Sequence, residues 1–361
     1  MNMPLDTRYI VTVAMAALLA LILFPIWIPL LRKFGILDRP NERKVHKTPV
    51  PRMGGVAIYV AFALPVCLFS LPEHHEWHGV VLGSGIALAI GCFDDIWGVP
   101  ASVKLVALFG LTILIWNFGI VTHLPVCPAC VPHAKTVETV LNLVITMLWV
   151  TCVCSAMNAL DHLDGLAAGV SIVAAMTYLA VSIQTDQMEW AIVSLALVGA
   201  LAGFLVFNKP PAKVFMGDSG SFFLGFALAS IGVMGGWSSN PLKAAIVPIV
   251  ALSMPIFDLC HVLLFRHISG TTKSLREAIV YCAKDHIGHR LLDMGFSKPM
   301  ALLMVCFVAG STVVSALLLR HANYLESILL LIQIAMIYIT LTVLMEMARR
   351  VGRKNGDKSA A

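Results

Sequence analysis

Eleven apolar runs, most of them close to 20 residues long, follow one another along this chain with only short polar segments between them. A helix of about 20 apolar residues spans the ~30 Å hydrocarbon core of a bilayer. No water reaches the backbone inside that core, so a crossing segment has to satisfy its own N–H and C=O groups, as a helix does. The runs therefore predict an all-α polytopic membrane protein. The spans are expected at about 8–31, 53–71, 80–98, 102–121, 137–157, 166–183, 189–207, 219–236, 242–265, 299–319 and 325–347. The first, from Tyr9 to Leu31 with only Arg8 before it, exceeds the 7–15-residue core of a cleavable signal and is read as a span.

Composition agrees: 59% of residues are hydrophobic and 12% charged, against roughly 25% charged in an average soluble domain. The mean hydropathy is +0.87. There is no internal repeat and no low-complexity segment, and the loops are too short for a second domain. Residues 1–361 are thus read as one integral membrane domain, with 266–298 its longest polar stretch.

An odd number of spans puts the two termini on opposite sides. Of the 25 Lys and Arg, seven fall in 32–52, one at Lys104, two in 208–218, six in 266–298 and five after Ala348. Only Arg8, Lys135, Lys243 and Arg320 fall on the other side. The positive-inside rule then makes 32–52, 94–104, 158–165, 208–218, 266–298 and the tail 348–361 cytoplasmic, with the N-terminus outside. The net charge of +5 expresses this topology and attraction to anionic lipid, not nucleic-acid binding.

Six of the nine cysteines (Cys67, Cys92, Cys152, Cys154, Cys260, Cys306) lie in apolar runs, where a thiol packs as a small hydrophobe. The pair Cys127 and Cys130 in "CPAC", with His123 and His133 nearby, is open to a disulfide, a weak metal site or a chance pair of loop thiols.

Acids are scarce, and five of them mark one side. Asp94, Asp95, Asp161, Asp164 and Asp218 all sit at cytoplasmic span ends or in adjoining loops, on three separate hairpins that a bundle could gather at one cleft. Carboxylates at membrane depth are expensive and usually functional. In "GCFDDIWGVPASVK", adjacent Asp94 and Asp95 suit a hard cation such as Mg²⁺; as like charges they could also yield a general base, or simply end the span. In "NALDHLDGLAAG", Asp161 and Asp164 share a face if helical, with Asn158 three residues before; Asp164 could instead cap the next helix.

Pro210 and Pro211 stop a span in "FNKPPAKVFMGDSGSFFLG", and "GDSGS" opens the next, where exposed N–H groups and a positive dipole end favour phosphate. Capping by Asp218 or Ser219 is the plainer alternative. Arg43, Lys44, Lys47 and Arg52 in "RKVHKTPVPRMGG" could clamp phosphates or be a positive-inside flank. In "KDHIGHRLLDMGFS", His286, His289 and Arg290 could converge on an anion if helical. Asp258, inside an apolar run, is expected to pair with a neighbouring helix. Basic groups for phosphates, carboxylates for Mg²⁺ and a lipid-embedded bundle point to phosphoryl transfer between a soluble nucleotide donor and a lipid acceptor. An ion-coupled transporter is the rival class, though its site would lie near the midplane rather than at one face.

At these residues the chain resembles the polyprenyl-phosphate N-acetylhexosamine-1-phosphate transferases. "RKVHKTPVPRMGG", "DDIWG…K" ending at Lys104, "NALDHLDGLAAGV", "FNKPPAKVFMGDSGS", "PIFD" and "HIGHRLLDMGFS" stand in the family's order over nearly the whole chain. "HKTPVPRMGG" and the histidine loop resemble the branch that uses UDP-N-acetylglucosamine for O-antigen, common antigen or teichoic acid linkage. The phospho-N-acetylmuramoyl-pentapeptide transferase branch, with "GTPTMGG" and a triple histidine, is less similar.

The resemblance implies transfer of a sugar 1-phosphate from a UDP-sugar to polyprenyl phosphate, with release of UMP, in a bacterial cytoplasmic membrane. It implies Mg²⁺ (or Mn²⁺) as cofactor and two copies paired in the membrane. Asp94 and Asp95 would handle the metal or deprotonate the lipid phosphate, and Asp218 would ligate Mg²⁺. Asn158, Asp161, Asp164, Asn208 and Phe215 would line the nucleotide site, the phenyl ring against uracil. Lys47, Arg52, His286 and His289 would hold phosphate or sugar, with Arg290 beside them. Attack could be direct, or pass through a phospho-aspartate at Asp94 or Asp95. Two positions depart from the pattern. The usual "DGLDGL" reads "DHLDGL", which puts His162 in place of a glycine, and the usual "HLHH" reads "HIGH", which puts Gly288 in place of a histidine. Both bear on sugar specificity more than on the reaction class.

Overall fold

A computed structural model describes residues 4–40, 48–70, 76–125, 133–274, 277–278, 281, 283 and 285–359, the stretch from 348 onward as backbone. Arg43, Lys44, Lys47, Cys127 and Cys130 lie outside the described residues.

Every expected apolar run is helical. The helices are α1 (Leu5–Lys33), α2 (Gly55–Phe69), α3 (Glu76–Trp97), α4 (Ala101–Ile115), α5 (Ala134–Leu160), α6 (Leu166–Gln184), α7 (Met188–Asn208) and α8 (Gly217–Met234). They continue with α9 (Pro241–Ala251), α10 (Ser253–Ile268), a short α11 (Ile287–Asp293), α12 (Lys298–Leu319) and α13 (Tyr324–Ser359). Among the described residues nine are long and apolar enough to cross a membrane, while α2, with 15 residues, is shorter.

The run expected as one span at 242–265 is two helices, α9 and α10, bent by 72°. Pro248 and Pro255 flank the break at Leu252. Pro255 has no N–H to give, and its ring crowds the carbonyl four residues earlier, so the helix does not run through.

The bundle is arranged around α8. Seventy-eight per cent of its apolar stretch is buried inside the protein, against 17% for α13. Small residues allow the close approach that helix packing in lipid depends on. A Cβ at Gly91 on α3 would run into the backbone of Asp218 and Ser219, and one at Gly225 on α8 would stand 2.5 Å from the Cys154 Cα of α5. These contacts press the acidic end of α3 against the first turn of α8 and the later part of α5 against its middle.

Before α2 the chain makes a small antiparallel pair, β1 (Leu37–Asp38) and β2 (Val50–Pro51), with Leu37 opposite Pro51. The segment preceding α8 lies alongside it: Phe215 N–H donates to the Pro51 carbonyl at 2.8 Å, and Gly54 N–H to the Phe215 carbonyl at 2.9 Å. Arg52 and Phe215 are thereby held by backbone bonds next to the start of α8.

Candidate active site

The ends of α3, α5 and α7 meet the starts of α4, α6, α8 and α12, and hydrogen bonds tie them together. Asp95 accepts the N–H of Asp218 at 3.1 Å on Oδ1 and of Ser219 at 3.0 Å on Oδ2. It therefore caps α8 from a different helix. Neither Asp218 nor Ser219 caps its own helix. The expectation that these N–H groups wait for phosphate is corrected here: the Asp95 carboxylate takes the place an anion would take. Arg52 in turn donates to the Asp95 carbonyl.

Asp94 is fully engaged as well. Its Oδ2 meets the Lys104 ammonium at 2.6 Å and its Oδ1 accepts the Val99 N–H at 2.6 Å. Lys104 also lies 3.4 Å from Asp218 Oδ2. The other Asp218 oxygen accepts from Asn158 Nδ2 at 2.9 Å, and that amide also donates to Ser221 at 3.0 Å. Asp218 is thus held from both sides with part of its surface open.

A cavity of about 300 Å³ opens over this network. Asp95, Asp161, Asp164 and Asp218 line it with Asp38, and Arg52 and Lys298 supply the positive charge. Asn208, Phe215, His162 and His289 complete the wall. Asp164 receives Lys298 Nζ at 3.0 Å and the Ala212 N–H at 3.4 Å. It does not cap α6, whose start is Gly165. Asn208 locks the turn instead: its Oδ1 accepts the Gly165 N–H at 2.9 Å, and its Nδ2 donates to the Val214 carbonyl at 2.8 Å.

Asp161 is the electrostatically strained member. Burial first, then the carboxylates of Asp218 and Asp95, push its pKa well above the usual range, against one favourable backbone N–H from Gly217. Oxygen donors that repel one another suit a hard divalent cation. Asp161 and Asp218 fit that role.

The histidine loop divides. Asp258, fully buried on α10, accepts from His286 Nδ1 at 2.7 Å and from the Ile287 N–H at 2.8 Å, so it caps α11. Its partners are the N-cap residue and the first N–H of that short helix. His289, one turn on, lines the cavity. Arg290 lines a separate small cavity with His261, Arg266 and Asp285, and lies 3.9 Å from Asp293. The expected convergence of His286, His289 and Arg290 on one anion does not occur, because the helix begins after His286 and turns Arg290 away. His162, Asp258 and His286 bring three ligand atoms within 4.8 Å of one another, as a metal would need. Their facing atoms are already used: Asp258 by His286, and His162 Nε2 by the Gly288 N–H at 3.2 Å.

Of the residues expected from sequence, Asp95, Asp161, Asp164, Asp218, Arg52, Asn208, Phe215 and His289 reach the cavity wall. Asp94 and Asn158 stand behind Asp218. Lys104, which closes the "DDIWG…K" motif but was given no role, and Lys298, counted only as a topology signal, each pair with a site carboxylate. Lys104 closes the "DDIWGVPASVK" stretch, and its position one short turn after a span end was the available signal.

The family model for glycosyl transferase family 4 matches residues 77–236, the segment from α3 to the end of α8. The chain is 30% identical over 316 residues to a Bacillus subtilis protein named probable undecaprenyl-phosphate N-acetylglucosaminyl 1-phosphate transferase, covering 88% of this chain and 86% of that one. The chain belongs to this family. A Mycolicibacterium smegmatis relative, decaprenyl-phosphate N-acetylglucosaminephosphotransferase, is 30% identical over 79% of this chain and 75% of its own length. A phospho-N-acetylmuramoyl-pentapeptide-transferase of Halalkalibacterium halodurans is 34% identical over 64% of this chain and 76% of that protein.

Proposed function

We propose that the protein transfers N-acetylhexosamine 1-phosphate, with N-acetylglucosamine as the sugar, from its UDP-sugar to undecaprenyl or a similar polyprenyl phosphate, releasing UMP. This would be the first membrane step of a cell-envelope glycan. The observation that carries the reading is the single cavity where Asp161 and Asp218 meet Arg52 and Lys298 at the end of a lipid-embedded bundle. The relatives' names support the same donor and acceptor classes. The basic loops flank this end, which supports a cytoplasmic opening.

Asp161 and Asp218 would hold Mg²⁺, which when bound neutralises charge on the donor diphosphate. Arg52 would bind phosphate: its Nε is buried and has no partner among the described residues. Lys298 adds a second cation, and the Phe215 ring offers a face for uracil. Lys104 keeps Asp94 and Asp218 in register. Both oxygens of Asp94 and both of Asp95 accept hydrogen bonds, which favours direct attack of the lipid phosphate over a phospho-aspartate. A ³²P-labelled enzyme trapped with donor alone would overturn that choice.

The donor is tested by incubating purified protein with polyprenyl phosphate, Mg²⁺ and radiolabelled UDP-GlcNAc, UDP-GalNAc or UDP-MurNAc-pentapeptide. Lipid-extractable label from UDP-GlcNAc alone is the expected result, and label from the pentapeptide donor alone would move the protein to the other branch.

A further inference from the structure

His162 and Gly288, from two different loops, touch. Gly288 N–H donates to His162 Nε2 at 3.2 Å, so Nδ1 carries the proton and gives it to the Ala159 carbonyl at 2.9 Å. The ring lies beside two other imidazoles, with centroids 5.0 Å from His286 and 4.9 Å from His289. A Cβ added at Gly288 would stand 2.5 Å from His162 Nε2 and 3.3 Å from the Leu163 Cδ2. The imidazole cannot swing aside, because Ala159 holds one edge and the neighbouring rings crowd its faces. This interface has room for a side chain from 162 or from 288, not from both.

We infer that His162 is a positioning residue of the candidate active site, and that positions 162 and 288 share one side-chain space, so that a side chain at either excludes one at the other. The inference rests on the transferase reading and refines it. His162 sits between Asp161 and Asp164 in sequence, and its bond to Gly288 fixes their loop against the helix that carries His289 to the cavity wall. Burial, above all, and the nearby His286 keep the ring neutral, with a pKa pushed down to about 4. That agrees with an acceptor nitrogen facing an N–H.

The test is a swap cycle on the full chain in detergent: wild type, His162→Gly, Gly288→His and the double variant, with His162→Gln added because its amide oxygen can reach the position of Nε2. Unfolding temperature and donor kcat and KM are read for each. Either single change is expected to lower the unfolding temperature and raise donor KM about 10- to 100-fold, with a smaller effect on kcat. The double variant is expected back within about 3-fold of wild type, and His162→Gln to recover most of what His162→Gly loses. Losses that simply add in the double variant, or a wild-type KM in His162→Gly, would overturn the inference. If the singles do not fold, folding of the double supports the shared space and its failure to fold overturns it. If wild type transfers nothing, the transferase reading fails, while the unfolding temperatures still decide whether the two positions share one space.

Discussion

The carboxylate of Asp95 accepts the backbone N–H of Asp218 at 3.1 Å, so one acid of the site positions another. With the second bond to Ser219, it joins α3 to α8 where the substrates would meet. Asp95→Ala would leave two buried N–H groups unpaired, a cost of about 1–3 kcal/mol for each such group. The expected outcome is a lower unfolding temperature together with loss of activity. Asp95→Asn, which keeps one acceptor, should unfold at an intermediate temperature.

Lys104 touches both Asp94 and Asp218. Lys104→Met should lower kcat about 100-fold, as expected when a charged group at a reacting centre is misplaced. Arg at this position should not restore the rate, because a planar fork cannot replace a point charge between two carboxylates. Steady-state kinetics on the two variants check this.

Asp161 is crowded by like charge, and removing its carboxylate changes what the cavity can hold. Asp161→Asn should raise the Mg²⁺ concentration for half-maximal activity by about 10-fold or more, the loss of one oxygen ligand from a site that uses few. The variant should fold as well as wild type or better, since the repulsion with Asp218 is gone. A Mg²⁺ titration with a parallel thermal melt reads both.

Arg266 grips Asp285 by two bonds of 2.7 Å and gives a third, also 2.7 Å, to the Ala278 carbonyl. Burial alone would raise the Asp285 pKa, but the Arg266 bonds outweigh it and hold the carboxyl below the usual range. A carboxyl depressed on folding adds stability above its unfolded pKa, about 3.9, and that stability is lost as pH falls through the lower folded value. Wild type should therefore lose unfolding temperature below about pH 4, and Asp285→Asn should be less stable at neutral pH but lose less on acidification. Thermal melts across the acid range test the sign.

The spans were legible because bilayer thickness fixes their length. Pro25 and Pro29 lie inside an unbroken α1, whereas Pro248 and Pro255 accompany a 72° bend. A proline in lipid can be accommodated by its neighbours, so the bend at Leu252 was not readable from sequence. The gathering of Asp161, Asp164 and Asp218 was legible, since their places at span ends leave a bundle little choice. The capping of α8 by Asp95, the pairing of Asp164 with Lys298 and the contact of His162 with Gly288 were not. Each joins residues more than 120 positions apart, and only the packing of particular helices decides such pairs.

The most direct test follows the donor's β-phosphate. With UDP-GlcNAc labelled with ³²P at the β position, polyprenyl phosphate and Mg²⁺, the account predicts label in the lipid fraction and an equal amount of unlabelled UMP, both absent with Asp218→Asn. Release of labelled UDP, with sugar alone reaching the lipid, would contradict it.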